Sequence, residues 1–407
     1  MRVRADGREF HLTYCQNVHP GEDADAVFET VDRRFAGVVA ALAARGHVGP
    51  KAAGLRIGSR AAREFAEDGF LVERLGARLL ELDAYAISVN AFPFGDFHAD
   101  RIKREVYRPD WSRRERLDYT VEVSRILAEL PGASRSLSIS TLPLTFKAFG
   151  TADVEALAAG IAAAAAELSL CSAGCERPLV LGIEPEPGGW IETVDEAVRF
   201  FEDHLLAGRW KALEALKPGN RALQEAILRQ HVGICFDTCH AAVEYEPMRE
   251  ALGRLEAAGI AVAKMQLSNA LQIDEPGRNE PALAELAGFV ENRYLHQVIA
   301  RRRDGGLDYF EDLPDYLAVA RSRDDESARA HFHVPLHRRR MGTLATTQAD
   351  LDQAIAWCRR RPTTEHLEIE TYTWPCLPGR READIDADLS GDIADEYEYV
   401  LARLESR

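Results

Sequence analysis

The 407-residue chain has no CxxC pair, and its seven cysteines, Cys15, Cys171, Cys175, Cys235, Cys239, Cys358 and Cys376, form an odd set. That excludes a disulfide framework and a thiolate zinc site as first readings and fits reduced thiols. No apolar run approaches the roughly 20 residues a bilayer span needs, and the opening MRVRADGREF lacks the apolar core of a secretory leader. The expectation is a cytoplasmic protein with no membrane span. Positive charge is in deficit: 50 Lys and Arg face 66 Asp and Glu, a formal net charge of −16. Such a field repels a phosphate backbone, so nucleic acid is disfavoured as a partner. The basic clusters at 301–303, 338–340 and 359–361 are short and read first as solvated faces, with a phosphate or carboxylate partner as the alternative. No linker-like stretch divides the chain and no short repeat recurs, so residues 1–407 read as one domain.

What is present is a recurring alternation. Short apolar, β-branched runs at 10–15, 54–58, 84–89, 136–140, 179–184, 231–237, 260–267, 330–335 and 366–372 are separated by longer helical or mixed stretches. This is the pattern of repeated β-then-α units, and the spacing predicts an α/β fold, a (β/α)8 TIM barrel with helical insertions. One strand is then surplus and belongs to an insertion. Residues 271–328, with Pro276-Gly277 and Asp304-Gly305-Gly306, are the least regular part and are read as an insertion over one barrel mouth. Ser112 and Glu115 have capping-box spacing ahead of an apolar stripe that Pro131-Gly132 ends. Residues 152–170 read as an alanine-rich packing helix with Asp153 and Glu155 in its first turn.

In such barrels the residues just past each strand's C-terminus build the site. The run at 179–183 leads straight into Glu184, with Pro185, Glu186 and Pro187 behind it; alone, such a Glu is as often a cap or salt-bridge partner as a ligand. The run from His231 ends in Asp237 with His240 three residues on, so a carboxylate oxygen and an imidazole nitrogen can converge on one cation; the bland alternative is that Asp237 caps a helix. Glu368 and Glu370 share a strand face because side chains alternate with period two, and two buried carboxylates imply a metal or a basic partner. His331, His333 and His337 share one parity, and His333 is the inward position nearest the strand end. Lys264 and Gln266 also share a face, Lys264 polarising a carbonyl or pairing with a glutamate. Earlier strands contribute Tyr14, Asn17, His19, Asn90 and His98 as candidate substrate contacts, together with Glu186 and Glu368, while Lys103, Tyr107, Asp110 and Trp111 are candidates for a lid.

The order Glu184, Asp237-Thr-Cys-His240, Glu370 resembles the xylose isomerase-like TIM-barrel superfamily, which includes sugar epimerases and endonuclease IV. The segments at 11–22, 90–95, 106–111, 332–335 and 368–374 look closest to EboE-like proteins, a metabolite-traffic family. The resemblance implies a barrel with a divalent-metal site and, for the EboE-like branch, a place in secondary-metabolite synthesis or export. In the epimerase relatives the ligands are Glu, Asp, His and Glu on the last four strands; here the third falls on Gln266 or is supplied by His333. The metal set expected is therefore Glu184, Asp237, His240, Gln266, His333 and Glu370, holding Mn²⁺ or Zn²⁺. The leading expectation is a metal-dependent isomerase or epimerase of a small polyhydroxylated or cyclic metabolite, with Glu184 and Glu370 as acid and base and Lys264 as electrostatic helper. The alternatives are a non-catalytic carrier, working with other proteins of its pathway, and an endonuclease IV-like phosphodiesterase.

Overall fold

The computed structural model describes residues 1–175, 177–380 and 389–405. The chain opens with β1 (Arg2–Ala5), which turns through Asp6-Gly7, both at positive φ, and pairs antiparallel with β2 (Arg8–Tyr14). An Asp-Gly pair favours such a two-residue hairpin because both turn residues must take φ above zero. There follow β3 (Lys51–Arg56), β4 (Ala84–Asn90), β5 (Leu137–Thr141), β6 (Leu179–Ile183), β7 (Val232–Asp237) and β8 (Val262–Leu267), all buried along their whole length. Burial on both faces is why these strands read as near-continuous apolar runs rather than alternating ones.

After β8 the chain leaves the barrel and builds a second sheet from β9 (Asn269–Asp274), β10 (Val298–Arg302), β11 (Leu307–Phe310), β12 (Asp325–Val334), β13 (Arg340–Met341) and β14 (Leu344–Thr346), in the order β11-β10-β12-β9-β14-β13. The helix Gln348–Arg360 then returns the chain to β15 (His366–Ile369), the last barrel strand, which pairs parallel with both β2 and β8. The eight strands β2 to β8 and β15 are thus a (β/α)8 TIM barrel. Closure between β2 and β3 combines a parallel bridge between Cys15 and Gly54 with the Thr13 hydroxyl, whose Oγ1 accepts from Gly54 N and donates to Ala52 O, each at 2.9 Å. Glycine at position 54 leaves room for the Glu368 carboxylate, since a Cβ there would fall on Oε1 and displace it.

The surplus strand is the one at 330–335. It lies in β12, paired with β9 and β10, so the insertion is larger than 271–328 and its sheet runs from Asn269 to Thr346. Alternation shows that His331 and His333 share a face but not which sheet owns the strand. The anticipated capping box does not form: Ser112 Oγ donates to Asp110 Oδ1, and the helix starts at Arg114. The alanine-rich helix extends over Val154–Cys175 with Gly174 inside it, and Asp153 accepts from Ala156 N at its start. By length and composition this helix would suffice to cross a bilayer; here Leu157, Ala158, Ile161, Ala162, Ala165 and Leu168 are buried in the core.

Candidate metal centre and cleft

Period-two alternation stacks the inward side chains of the barrel in layers. In the lower layer, Lys264 of β8 donates to Glu368 Oε2 and Ser88 Oγ of β4 donates to Glu368 Oε1 at 2.8 Å, all fully buried. Burial works against the ammonium, but the Glu368 carboxylate overrides it and holds Lys264 above its ordinary range. Next to this pair, Gln266 Oε1 accepts from the Cys235 thiol at 2.8 Å, while Gln266 Nε2 is buried and unpartnered.

One step higher, at the C-terminal rim, the charge is not balanced. Oxygens of Glu184, just past β6, of Asp237, the last residue of β7, and of Glu370, just past β15, lie within 4.8 Å of one another. Asp237 Oδ1 is anchored by Cys239 N at 2.6 Å, His240 N at 3.1 Å and Ser268 Oγ at 2.6 Å, so it caps the helix Thr238–Val243, and no N–H or serine hydroxyl reaches its buried Oδ2. Glu370 Oε1 accepts from the amides of Asn17 at 2.7 Å and Asn90 at 3.2 Å. Burial pushes Glu184 up to about 8, and burial with the Glu184 and Asp237 charges pushes Glu370 well above the carboxylate range. Burial also disfavours the Asp237 charge, yet His240, His333 and hydrogen bonds from Glu370 and Ser268 hold it low. Three buried carboxylates facing one point, two of them forced toward the neutral form, are a site short of a cation.

Beside them stand three histidines. His240 comes from the first turn after β7, whereas His331 and His333 come from β12 of the insertion, and all three are buried. Each uses Nδ1 on an oxygen: Pro185 O at 3.0 Å for His240, Gln297 Oε1 at 2.7 Å for His331 and Glu370 O at 2.8 Å for His333. Gln297 donates its own amide to Pro187 O and Tyr107 Oη, which fixes Oε1 as the atom facing His331. Nδ1 is therefore the donor in all three rings and Nε2 carries the lone pair. Burial, then the neighbouring imidazoles, drive His331 well below the ordinary range, and burial takes His333 to about 4. His240 is raised by Asp237, Glu186 and Glu184 against its own desolvation.

Above both groups opens a cleft of about 520 Å³, mouth included, lined by Glu184, Glu186, His240, His331, Glu370, Asn17 and Asn90 on its floor and by Phe92, Phe97, Tyr107, Tyr294 and Tyr372 around it. Its roof is stitched by Lys103, which donates to Asp312 Oδ2 at 2.6 Å, Tyr294 O at 2.6 Å and Glu291 O at 3.2 Å, tying the loop after β4 to the insertion. Of the lid candidates, Lys103 and Tyr107 face the cleft, while Asp110 and Trp111 lie at the helix start outside it. Of the candidate substrate contacts, Asn17, Asn90 and Glu186 line the cleft. Tyr14, His19 and His98 do not; Tyr14 stacks on Phe35 with its hydroxyl buried and unpartnered, and Glu368 sits in the lower layer. The basic cluster at 301–303 is spent on Glu326, Asp304, Asp308, Glu275 and Asp324, away from the cleft. Sequence reasoning left His331 out of the ligand set, although its parity with His333 placed it on the same face. Nothing in the local sequence signals Gln297 or Tyr294.

No family model and no curated protein matches the chain. Among solved structures, it is similar to a xylose isomerase-like TIM barrel protein from Mycobacterium smegmatis in complex with magnesium, at 11% identity and a TM-score of 0.49 over 99% of this chain and 98% of that one. It is similar to the IOLI protein with a binding zinc atom, at 9% identity and a TM-score of 0.46 over 97% of each chain. A third is the D-psicose 3-epimerase with D-tagatose from Clostridium cellulolyticum H10, at 11% identity and a TM-score of 0.46 over 96% of this chain and 99% of that one. These values describe architecture; the chemistry of the site rests on this chain's own residues.

Proposed function

We propose that the chain is a cytoplasmic, metal-dependent isomerase or epimerase acting on a small, unphosphorylated, polyhydroxylated or cyclic metabolite. The observation that carries this is the convergence of Glu184, Asp237 and Glu370 at the base of an aromatic-walled cleft, where among the described residues no Lys or Arg is paired with them and the nearest basic groups are the imidazoles of His240, 3.8 Å from Glu184, and His333, 3.9 Å from Glu370. A divalent ion, Mn²⁺ or Zn²⁺, held by these carboxylates with His240 or His333 beside them, would polarise a carbonyl and its neighbouring hydroxyl.

The chain's own groups do the rest. Glu184 and Glu370 flank the cleft floor as the pair that removes and returns a proton at carbon, and the Asn17 and Asn90 amides fix the Glu370 oxygen in place. Asp237 is held rigid by its three donors. Lys264 acts from the lower layer, its charge tied to Glu368. The Lys103 stitch keeps the roof over the cleft and limits water there. Lys103 is also the one cationic side chain lining the cleft, and with three acceptors already engaged it has none of its donors to spare for a phosphate. The aromatic walls suit the C–H faces of a ring. The motif resemblance supports an EboE-like role in synthesis or export of a secondary metabolite, alongside other proteins of that pathway.

The experiment is proton wash-out. Metal-loaded protein is incubated in D₂O with candidate ketoses and cyclic ketones, and exchange of the α-proton is followed by NMR. Exchange that disappears in Glu370→Gln supports the enzyme; saturable binding with no exchange for any of them favours the carrier.

A further inference from the structure

We propose that the substrate carries a protonated amine beside its hydroxyls, and that Glu186 is the residue that recognises it. Glu186 then sets which small metabolites the cleft accepts, a specificity that rests on the isomerase reading for the substrate's place in the cleft. The local sequence is Pro185-Glu186-Pro187, in which two prolines restrict the backbone on either side of one carboxylate. Glu186 N donates to Ile191 O at 3.1 Å and Glu186 O accepts from Gly189 N at 2.9 Å, so a tied loop delivers this side chain to the cleft. It stands outside the group formed by Glu184, Asp237 and Glu370; its own near neighbours are His240 and His331.

The donors of the cleft are already spent. Asn17 and Asn90 give their amides to Glu370 Oε1, and Lys103 gives its ammonium to three oxygens. His240 and His331 give Nδ1 to Pro185 O and Gln297 Oε1. Among the buried atoms of the lining side chains, Asn17 Oδ1, Glu184 Oε2 and Glu186 Oε2 lack a hydrogen-bond partner, and all three are acceptors. A ligand that completes this surface arrives as a donor, with hydroxyl or ammonium hydrogens. A carboxylate or phosphate would set acceptors against acceptors.

Charge then selects ammonium over hydroxyl at Glu186. Its surroundings are neutral on the side away from His240: the Tyr107 hydroxyl and the Gln297 amide approach it, and His331 Nδ1, 3.6 Å from Oε1, is committed to Gln297. Four buried carboxylates, Glu184, Glu186, Asp237 and Glu370, crowd this end of the barrel. A divalent ion among the other three, even with a proton on His240, leaves one negative charge unanswered, and an unanswered buried charge is costly. A monocation matches that remainder. The Tyr107, Tyr294 and Tyr372 rings along the wall add the attraction of an aromatic surface for an ammonium group.

The test uses three achiral molecules of one shape, which removes stereochemistry from the comparison: Tris, with an ammonium on a tris(hydroxymethyl) carbon; pentaerythritol, with a fourth hydroxymethyl there; and tris(hydroxymethyl)acetate, with a carboxylate. Each is titrated calorimetrically into the full chain at neutral pH, with Mn²⁺ present and in an amine-free buffer. Tris should bind at least about 10-fold more tightly than pentaerythritol, and tris(hydroxymethyl)acetate should not bind. Glu186→Gln should abolish the preference while keeping the far-UV circular dichroism spectrum of wild type. Equal affinity for Tris and pentaerythritol, no binding of Tris, or a preference that survives Glu186→Gln overturns the proposal. So does a preference lost in Glu370→Gln and kept in Glu186→Gln, which puts the ammonium on the rim carboxylates. None of these readouts needs turnover: a Glu186-dependent preference without proton wash-out would sink the isomerase reading and leave the cleft's choice of an amine intact.

Discussion

Glu368 and Glu370 stand two residues apart at the end of one strand, both buried, and differ in what answers their charge. Glu368 meets the Lys264 ammonium and the Ser88 hydroxyl. Glu370 meets two neutral amides and two more carboxylates. One step along the barrel axis separates a polar layer that the chain balances from its own side chains and a layer that it leaves short of positive charge. The lower layer is structure, since its charges, Lys264 and Glu368, answer one another from within the chain. The upper layer is a site, because a surplus of buried anionic groups is costly unless something from outside completes it. A third carboxylate falls between them: Glu396, on the C-terminal helix Ser390–Glu405, accepts from Thr371 Oγ1 at 2.6 Å, Leu336 N at 3.1 Å and Trp374 Nε1 at 3.1 Å. It has donors but no cation, and burial raises it to about 7.

The comparison breaks most readily at Lys264. Lys264→Met leaves Glu368 buried and unpaired and should cost about 3–5 kcal/mol of unfolding free energy in a denaturant titration. The double change Lys264→Met with Glu368→Leu should recover most of it. A single variant within 1 kcal/mol of wild type would mean that the lower layer does not depend on its pair. Glu396 gives the next largest effect. Its folded-state value of about 7 exceeds the ordinary 4.5, so between those limits the folded chain holds a proton that the unfolded chain has released. Its contribution is therefore full below about pH 4.5 and is lost as pH rises through 7, on the order of 3 kcal/mol in all. Glu396→Gln should remove that component from the pH dependence of stability; an unchanged profile would show that the hydrogen bonds alone keep this carboxylate ionised. The smallest effect is expected where the functional claim is largest. In metal-free protein, Glu370→Gln should shift stability by less than about 1 kcal/mol or increase it, since it replaces a carboxyl already driven toward the neutral form by a neutral amide of the same shape. A loss of several kcal/mol there would show that the rim is balanced internally after all.

Much of this architecture was legible in the sequence, for identifiable reasons. Strands buried on both faces, such as β6 and β7, leave apolar runs, and a run that ends in Glu184 or Asp237 announces a rim carboxylate. Glu368 and Glu370 were placed on one face by parity, and the parity rule held. Parity did not say that Glu368 would find Lys264 while Glu370 would not, because that depends on which strand lies alongside and in what register. The same limit applies to 330–335: its alternation fits a barrel strand, and only the pairing of Ala330 with Leu271 and Val298 assigns it to the inserted sheet. The roof was beyond reach for a similar reason, since Lys103 meets acceptors some 190 or more residues away. The Asp6-Gly7 hairpin was a readable signal on a strand too short to register as a run.

The most direct test of the account is Mn²⁺ binding to chelator-treated wild-type protein and to Asp237→Asn, followed by calorimetry at neutral pH. Wild type should bind saturably, with a rise in melting temperature, and Asp237→Asn should weaken binding on the order of 100-fold or more, since even outer-shell losses at metal sites reach that range. No binding by wild type, or equal binding by the variant, would contradict the claim that the rim carboxylates await a cation.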